Sequence, residues 1–435
     1  PTQGDAMSQR TPVWRVLAAL AALTLVASAC GDGDDTTEGT TDTTAAEGTT
    51  TAPQNEGDGT LKIGTVLPET GSLASLGPPE FAGVELAVQE INEAGGVLGK
   101  PVEKIDGDSS DTSTDIANQT VDRLLSQNVD VIVGAASSAV TYTIIDKITG
   151  AGVVQFSPAN TDAGLSDYDD DGLYFRTAPP DILQGRILAE LITEDGHSTV
   201  GITALQDPYG EGLAEQLTSN LEASGAEVVA TEIYDPQAQN FDAEVQALVS
   251  ADPEAIAVIG FDESARVLST MIEQGIGPQD KAVYLVDGNI GNALGEQLPE
   301  GSLEGVKGTL PGAEAAQEFQ QRLLEVDPDL QDFSYAGEAY DAVVVSALAA
   351  EVAGSDAGRD IAENIPDVTR EGEKCTSFAE CKELVDAGED IDYDGASGPI
   401  EMNDVGDPTF ATIGIYTYGP DNKLTDEVDY RAGEL

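Results

Sequence analysis

The chain predicts an α/β protein of two doubly wound lobes built on parallel-type sheets. Short β-branched runs alternate with amphipathic helical stretches along the body, and that alternation is the mark of a parallel sheet covered on both faces. The body from Thr60 to Leu435 is too long for one core and suits two. The pair Pro179-Pro180 breaks the rhythm after about one lobe's worth of sequence, where a crossing between lobes is expected.

Residues 1–29 read as a secretory signal peptide, with Met7 as the expected initiator. Arg10 and Arg15 precede the apolar segment 16–29, which is too short to span a bilayer comfortably and ends in Ala27-Ser28-Ala29-Cys30. Small residues directly before a cysteine suit cleavage and lipid attachment to Cys30, and here the chain resembles bacterial lipoproteins. Residues 30–59 then turn to Thr, Gly, Asp, Glu and Ala with almost nothing to bury. They are expected to form a disordered acidic linker that tethers the body to a membrane.

The body opens with a strand over 61–67, a polar loop over 70–77 and a helix. In that helix Phe81, Val84, Val88 and Ile91 share a face, and 92–96 supplies the turn that ends it. Strands are expected over 102–106, 129–133 and 153–156, separated by helices over 113–127 and 139–149. After the prolines the rhythm resumes with helices over 182–194, 211–223, 241–250 and 264–274. Strands over 199–204, 227–234, 255–259 and 282–286 alternate with them.

Four stretches in this order, AGVELAVQEINEAGGVLG, FRTAP, DPYGEGLA and DGASGPIEMNDVGD, closely resemble the type I periplasmic solute-binding proteins of ABC importers. The branched-chain amino acid and amide subgroup is the nearest match. The resemblance implies two lobes joined by a three-crossover hinge, with crossings near Ala178, Thr309 and Phe410. The first lobe would be 60–178 plus 310–409, and the second 179–309 plus 410–435. It implies a small ligand, an amino acid or amide, trapped between the lobes and delivered to an ABC permease and ATPase complex. A ligand-sensing receptor of the same fold that signals to a membrane partner is the alternative. Localisation would be extracytoplasmic, on the outer face of the bacterial cytoplasmic membrane and held there only by the lipid. The expected state is a monomer.

An amino acid in a closed cleft presents a carboxylate and an ammonium, each costly to bury unpaired. Ser137 and Ser138 follow a strand and Gly134 at a helix start, where unpaired amides favour an anion. The resemblance assigns Ser138 and the segment from Ala159 to Thr161 to the ligand carboxylate, and Asp287 to the ammonium, with Gly288 leaving room beside it. Tyr209, Phe261 and Tyr335 would form the pocket walls. Phe261 stands where leucine-type receptors usually carry a tyrosine, and Leu76 replaces an aromatic, so a simple leucine specificity is not implied.

The net charge of −61, from 19 basic and 80 acidic residues, excludes nucleic acid as a partner. It also points to a salt-adapted source, since self-repulsion on this scale is screened only at high ionic strength. Cys375 and Cys381 are expected to pair in an oxidising space. Ser377 to Glu380 reads as a capping box, so the two cysteines could meet around a helix start, Cys375 in the preceding loop and Cys381 in the first turn.

Catalysis is not expected. His197 is the only histidine, and neither a phosphate loop nor a nucleophile elbow is present. Asp390, Asp392, Asp394 and Gly395 with Glu401 match the spacing of a calcium loop, but Ser397 and Pro399 fit it badly; 167–172 matches less well. Both are read as coincidence, with no metal and no cofactor.

Overall fold

The computed structural model describes residues 55–435. The signal peptide, Cys30 and the linker as far as residue 54 lie outside the described residues. The linker expected to reach residue 59 ends earlier. Asn55 donates its side-chain amide to Val129 O and Asp130 Oδ1, both at 2.8 Å, while the N–H groups of Asp58 and Thr60 donate to Asp356 at 2.9 and 2.8 Å. A composition poor in apolar residues hides such anchoring, because polar bonds rather than burial supply it.

The first lobe starts with β1 (Lys62–Val66), α1 (Gly77–Glu93), β2 (Glu103–Ile105), α2 (Ile116–Leu125), β3 (Val131–Gly134), α3 (Ser138–Gly150), β4 (Val154–Ser157) and β5 (Tyr174–Arg176). Its sheet is all parallel, in the order β2-β1-β3-β4-β5. The second lobe follows with α4 (Asp181–Glu194), β6 (Thr199–Leu205), α5 (Pro208–Ala223), β7 (Glu227–Tyr234), α6 (Asp242–Ala251) and β8 (Ala255–Ile259). It continues through α7 (Ser264–Glu273), β9 (Ala282–Leu285), α8 (Asn292–Glu296) and β10 (Lys307–Pro311). The chain then returns to the first lobe for α9 (Gln317–Val326), α10 (Ala336–Ala353), α11 (Gly358–Asn364), β11 (Glu373–Cys375), α12 (Phe378–Ala387), β12 (Ile391–Gly395) and β13 (Gly398–Pro399). It ends with β14 (Phe410–Thr417) and β15 (Asp429–Glu434) on the second sheet, ordered β15-β14-β10-β9-β8-β6-β7. Those last two strands run antiparallel, so only the core of this sheet is parallel.

Both lobes repeat one winding, with the first strand between the second and the third. Each therefore has a switch point, between β1 and β3 and between β6 and β8, where open α/β sheets leave a crevice at the strands' carboxyl ends. The passages between lobes run through 177–180, after Pro311 and into Phe410, the second of them two residues beyond Thr309.

Helix α1 buries Val84, Val88 and Ile91, and half-buries Phe81. The face meets α10 as its main neighbour rather than the sheet alone. Gly83 permits that approach, since a Cβ there would lie 2.2 Å from Ala336 O. Helix α10 is buried along most of its length and carries apolar residues on every side, with the acids Glu338 and Asp341 buried among them, as suits a helix enclosed by other elements. Having no polar face, it shows no amphipathic period.

Ser377 caps α12 by accepting from Glu380 N at 3.3 Å, and Glu380 Oε2 reaches back to Thr376 N at 2.9 Å. The box thus closes one residue earlier than its usual partner. Cys375, which ends β11 rather than lying in a loop, is joined to Cys381 by a disulfide with Cα atoms 5.3 Å apart. Among the described residues no helix is long and apolar enough to cross a membrane.

Candidate functional site

The carboxyl ends of the parallel strands converge on the space between the lobes. Helix α3 begins right after β3, with Ser137 as its cap, accepting from Val140 N at 3.4 Å, and Ser138 as its first residue. Past β4, Ser157 Oγ takes the N–H groups of Ala159 and Asn160 at 3.3 and 3.0 Å, which folds 159–161 into a tight turn facing α3. Ser138 Oγ accepts from Asp162 N at 3.3 Å, and Thr161 Oγ1 is buried without a partner. The first lobe thus offers a helix N-terminus and a free hydroxyl, the equipment for a carboxylate.

The second lobe offers the opposite charge. Asp287 follows β9 directly and is buried, yet its carboxylate is held on three sides. Tyr209 Oη donates at 2.6 Å, Tyr335 Oη at 2.8 Å and Gln184 Nε2 at 2.9 Å. Burial pushes its pKa up while those donors pull it back. Tyr335 comes from the returning segment of the first lobe, so the carboxylate bridges both lobes. Tyr335 reaches it from a left-handed backbone at φ 59°, just before α10. The rings of Tyr209 and Phe261 stack at 5.4 Å and 10° to form one wall. Gly288 is needed beside them, because a Cβ there would fall 2.7 Å from both Gly260 O and the Phe261 ring.

Ser138, Ala159, Thr161, Tyr209, Phe261, Asp287 and Tyr335 all line one cavity of about 20 Å³, about the room for one water. An amino acid therefore requires the lobes to part and re-close around it. The apolar contacts of the second lobe run unbroken into Leu73, Ala136, Ala159 and Tyr335 of the first, and these seal the cleft. Through Leu76, Phe261, Asp287 and Gly288 the cavity shares its wall with a second space of about 270 Å³. From the loop over 70–77 it is Leu73 and Leu76, not the polar residues, that face the cavity. Ser72 instead ties the lobes together by accepting from Asp262 N at 3.2 Å.

Sequence reasoning missed Asp181 and Gln184, on one face of α4 directly after the first passage. Gln184 holds Asp287 and Thr309, whereas the Asp181 carboxyl is buried with only the neighbouring Thr161 hydroxyl placed to favour its charge. Burial, then the charge of Asp287, holds Asp181 well above the usual carboxylate range. Nothing in a run of helix residues marks these two, although their i, i+3 spacing after Pro180 put them on one side.

Some motifs do structural work. Arg176 of FRTAP, fully buried, pairs with Asp407 of the last motif at 2.6 Å and donates to Asp162 O at 2.8 Å and Ser166 Oγ at 2.8 Å. Asp341 of α10 accepts from Tyr393 Oη at 2.7 Å and from the N–H groups of Ala396 and Ser397 at 2.9 and 2.7 Å. Asp392 and Asp394 of the calcium-like spacing lie on β12 and share Lys374, each at 2.9 Å.

The periplasmic binding protein family model matches residues 60–407. A leucine-, isoleucine-, valine-, threonine- and alanine-binding protein of Pseudomonas aeruginosa is 27% identical over 70% of this chain and 81% of its own. A substrate-binding protein of a chemotactic signal transduction system in Halobacterium salinarum, BasB, is 25% identical over 79% of this chain and 83% of its own. Among solved structures, the branched-chain amino acid binding protein LivJ of Streptococcus pneumoniae, in complex with isoleucine, superposes with a TM-score of 0.71. It is 24% identical and covers 86% of this chain and 100% of its own. An R. palustris solute-binding protein in complex with 4-hydroxybenzoate reaches 0.72 at 15% identity, over 86% of this chain and 98% of its own. The shared architecture therefore does not choose the ligand. The two-lobed fold, the converging strand ends and the match along most of the body have one conclusion: this chain belongs to the periplasmic binding protein family, as a type I solute-binding receptor of the leucine/isoleucine/valine-binding type.

Proposed function

We propose that the protein captures a free amino acid, branched-chain or related, or its amide, and delivers it to an ABC permease and ATPase. The observation that carries this reading is Asp287, a buried carboxylate held by Tyr209, Tyr335 and Gln184 at the seam of both lobes. It is a seat for an ammonium that is complete only when the cleft is shut. The ligand carboxylate goes to the α3 N-terminus at Ser138 and to the turn from Ala159 to Thr161. The side chain lies among Leu73, Leu76 and Phe261. Contacts from both lobes exist only in the closed form, so ligand shifts the population toward closure, which a permease can distinguish.

The rest of the reading follows from the sequence. Residues 1–29 are removed as a signal peptide, Cys30 carries lipid, and the linker lets the body reach its partner from the outer face of the cytoplasmic membrane as a monomer. The first lobe comprises 60–178 with 310–409, and the second 179–309 with 410–435.

Mass spectrometry of small molecules released from the purified chain, followed by a thermal-shift panel of amino acids, amides and aromatic acids, tests the ligand. A ligand at about a hundred times its dissociation constant adds about 2.7 kcal/mol. Stabilisation by aromatic acids alone would overturn the amino-acid reading. The likeness to the chemotactic protein of Halobacterium salinarum favours a second reading, a sensor that reports the same ligand to a membrane receptor. Deleting the gene would then abolish taxis toward the ligand and spare its uptake.

A further inference from the structure

Beside the amino-acid cavity, on the hinge side, lies a larger groove of about 650 Å³. The first lobe contributes Glu314, Asp332 and Glu338 to its lining. The second lobe contributes Tyr416, Asp426 and Tyr430, and no lysine or arginine lines it. Acidic residues are common in this chain and signify little by themselves. Glu338 differs from the rest because its residue is only 5% exposed, it lines the groove, and no side chain pairs with its carboxyl. Its own N–H in the first turn of α10 is the one group that favours its charge, and burial outweighs it, pushing the carboxyl up to about 8. Such a group lacks a counter-charge.

We propose that this groove is a second binding site, for a small organic cation such as a quaternary or primary ammonium, seated on Glu338 against the faces of Tyr416 and Tyr430. Tyrosine faces attract ammonium groups and tolerate their methyl or methylene surface. A bare metal ion is a poorer occupant, since among the described residues no three acidic, histidine or cysteine side chains are gathered closely enough to ligate one. The groove spans both lobes, so its occupant biases hinge closure. Glu338 lies one helical turn from Tyr335, which donates to Asp287, and its carbonyl accepts from Thr177 Oγ1 at 3.0 Å in the first passage. Occupancy is thereby linked to the amino-acid site.

The groups facing Glu338 are Glu80 of α1, itself buried and unpartnered, Asp341 and Tyr335 of the α10 region, and the groove's Glu314, Asp332, Asp426, Tyr416 and Tyr430. None is cationic. An arriving cation ionises Glu338 and releases one proton to solvent. Its affinity therefore rises as pH rises through about 8.

Calorimetric titration of the full chain with tetramethylammonium chloride, at fixed total ionic strength and at pH 6 and 9, tests the site. This probe keeps its charge at every pH. One saturable site is expected, tighter at pH 9, with proton release at pH 7 read from the buffer dependence of the heat. Glu338→Gln should weaken it by at least about tenfold, with a melting temperature unchanged at pH 6, where the native carboxyl is neutral. Asp287→Asn should retain one saturable site, shifted in affinity only through the Tyr335 linkage, which separates this site from the amino-acid cavity. If Glu338→Gln fails to fold, Tyr416→Leu carries the test, with a loss of about threefold or more. Binding that does not saturate, that Glu338→Gln retains, or that Asp287→Asn abolishes would overturn the proposal.

Discussion

At the residue scale, Asp287 combines two demands that pull against each other. Its three hydrogen-bond donors hold the carboxylate in place, while burial opposes its charge until a ligand supplies the counter-charge. Asp287→Asn removes the charge and keeps one oxygen, enough for Tyr209 and Gln184, which share Oδ1, while an NH2 group replaces the Oδ2 to which Tyr335 donates. It is expected to weaken amino-acid binding by about tenfold to a hundredfold, measured by calorimetry, while the melting temperature of the ligand-free protein changes little. Equal binding would remove the ammonium assignment. Tyr335→Phe deletes one donor and leaves the left-handed turn before α10 in place. Its binding should fall by roughly tenfold, the weight of one hydrogen bond to a charged group at the lower end. Asp287 was visible in the sequence because it directly follows a strand. Asp181 and Gln184 were not, because helix residues reveal their partners only once a passage has turned them toward another strand's end.

At the scale of elements, the amphipathic and β-branched segments as far as residue 286 were legible, and most of their ends fall within a few residues of the expected places, whereas α9, α10 and β14 beyond it went unread. The exceptions share physical causes. Strand β5 has only three residues, too few to display a period. The helix expected over 113–127 begins instead at Ile116, since 111–115 are tied by the Asp111 side chain to Ser113 N at 2.9 Å and Ser113 Oγ at 2.5 Å. Two of the motifs that made the resemblance recognisable, FRTAP and the late DGASGPIEMNDVGD, act on the passages and the segments beside them rather than on ligand. Arg176 and Asp407 tie β5 to the approach to β14. Breaking a buried pair by removing one partner leaves the other charge stranded, at a cost of about 3–5 kcal/mol. Asp407→Ala should lose that much in urea unfolding. If it lost less than about 1 kcal/mol, the pair would not be holding the hinge segments together.

At the scale of the whole molecule, two effects couple stability to acidity, and they can be separated. Asp130 and Asp207 are raised to about 7 and Glu338 to about 8, in each case chiefly by burial. A carboxyl whose folded value exceeds its unfolded one, about 4, binds its proton more firmly in the native state. Its stabilising contribution is complete below the unfolded value and is lost as pH climbs through 7 to 8. The net charge of −61 acts in the same direction, since protonating carboxyls also relieves self-repulsion. Salt distinguishes the two, because raising ionic strength from about 0.1 to about 1 M shortens the screening length from about 10 to about 3 Å. Surface repulsion is then largely quenched, while the cost of buried carboxylates is screened much less. The melting temperature should therefore rise with salt at pH 8, and rise again on lowering the pH from 8 to 5.5 even in 1 M salt. A melting temperature that falls with salt would contradict the salt adaptation inferred from the charge. A pH dependence that vanishes entirely in high salt would show that repulsion alone, and not the buried acids at the hinge and strand ends, sets the response.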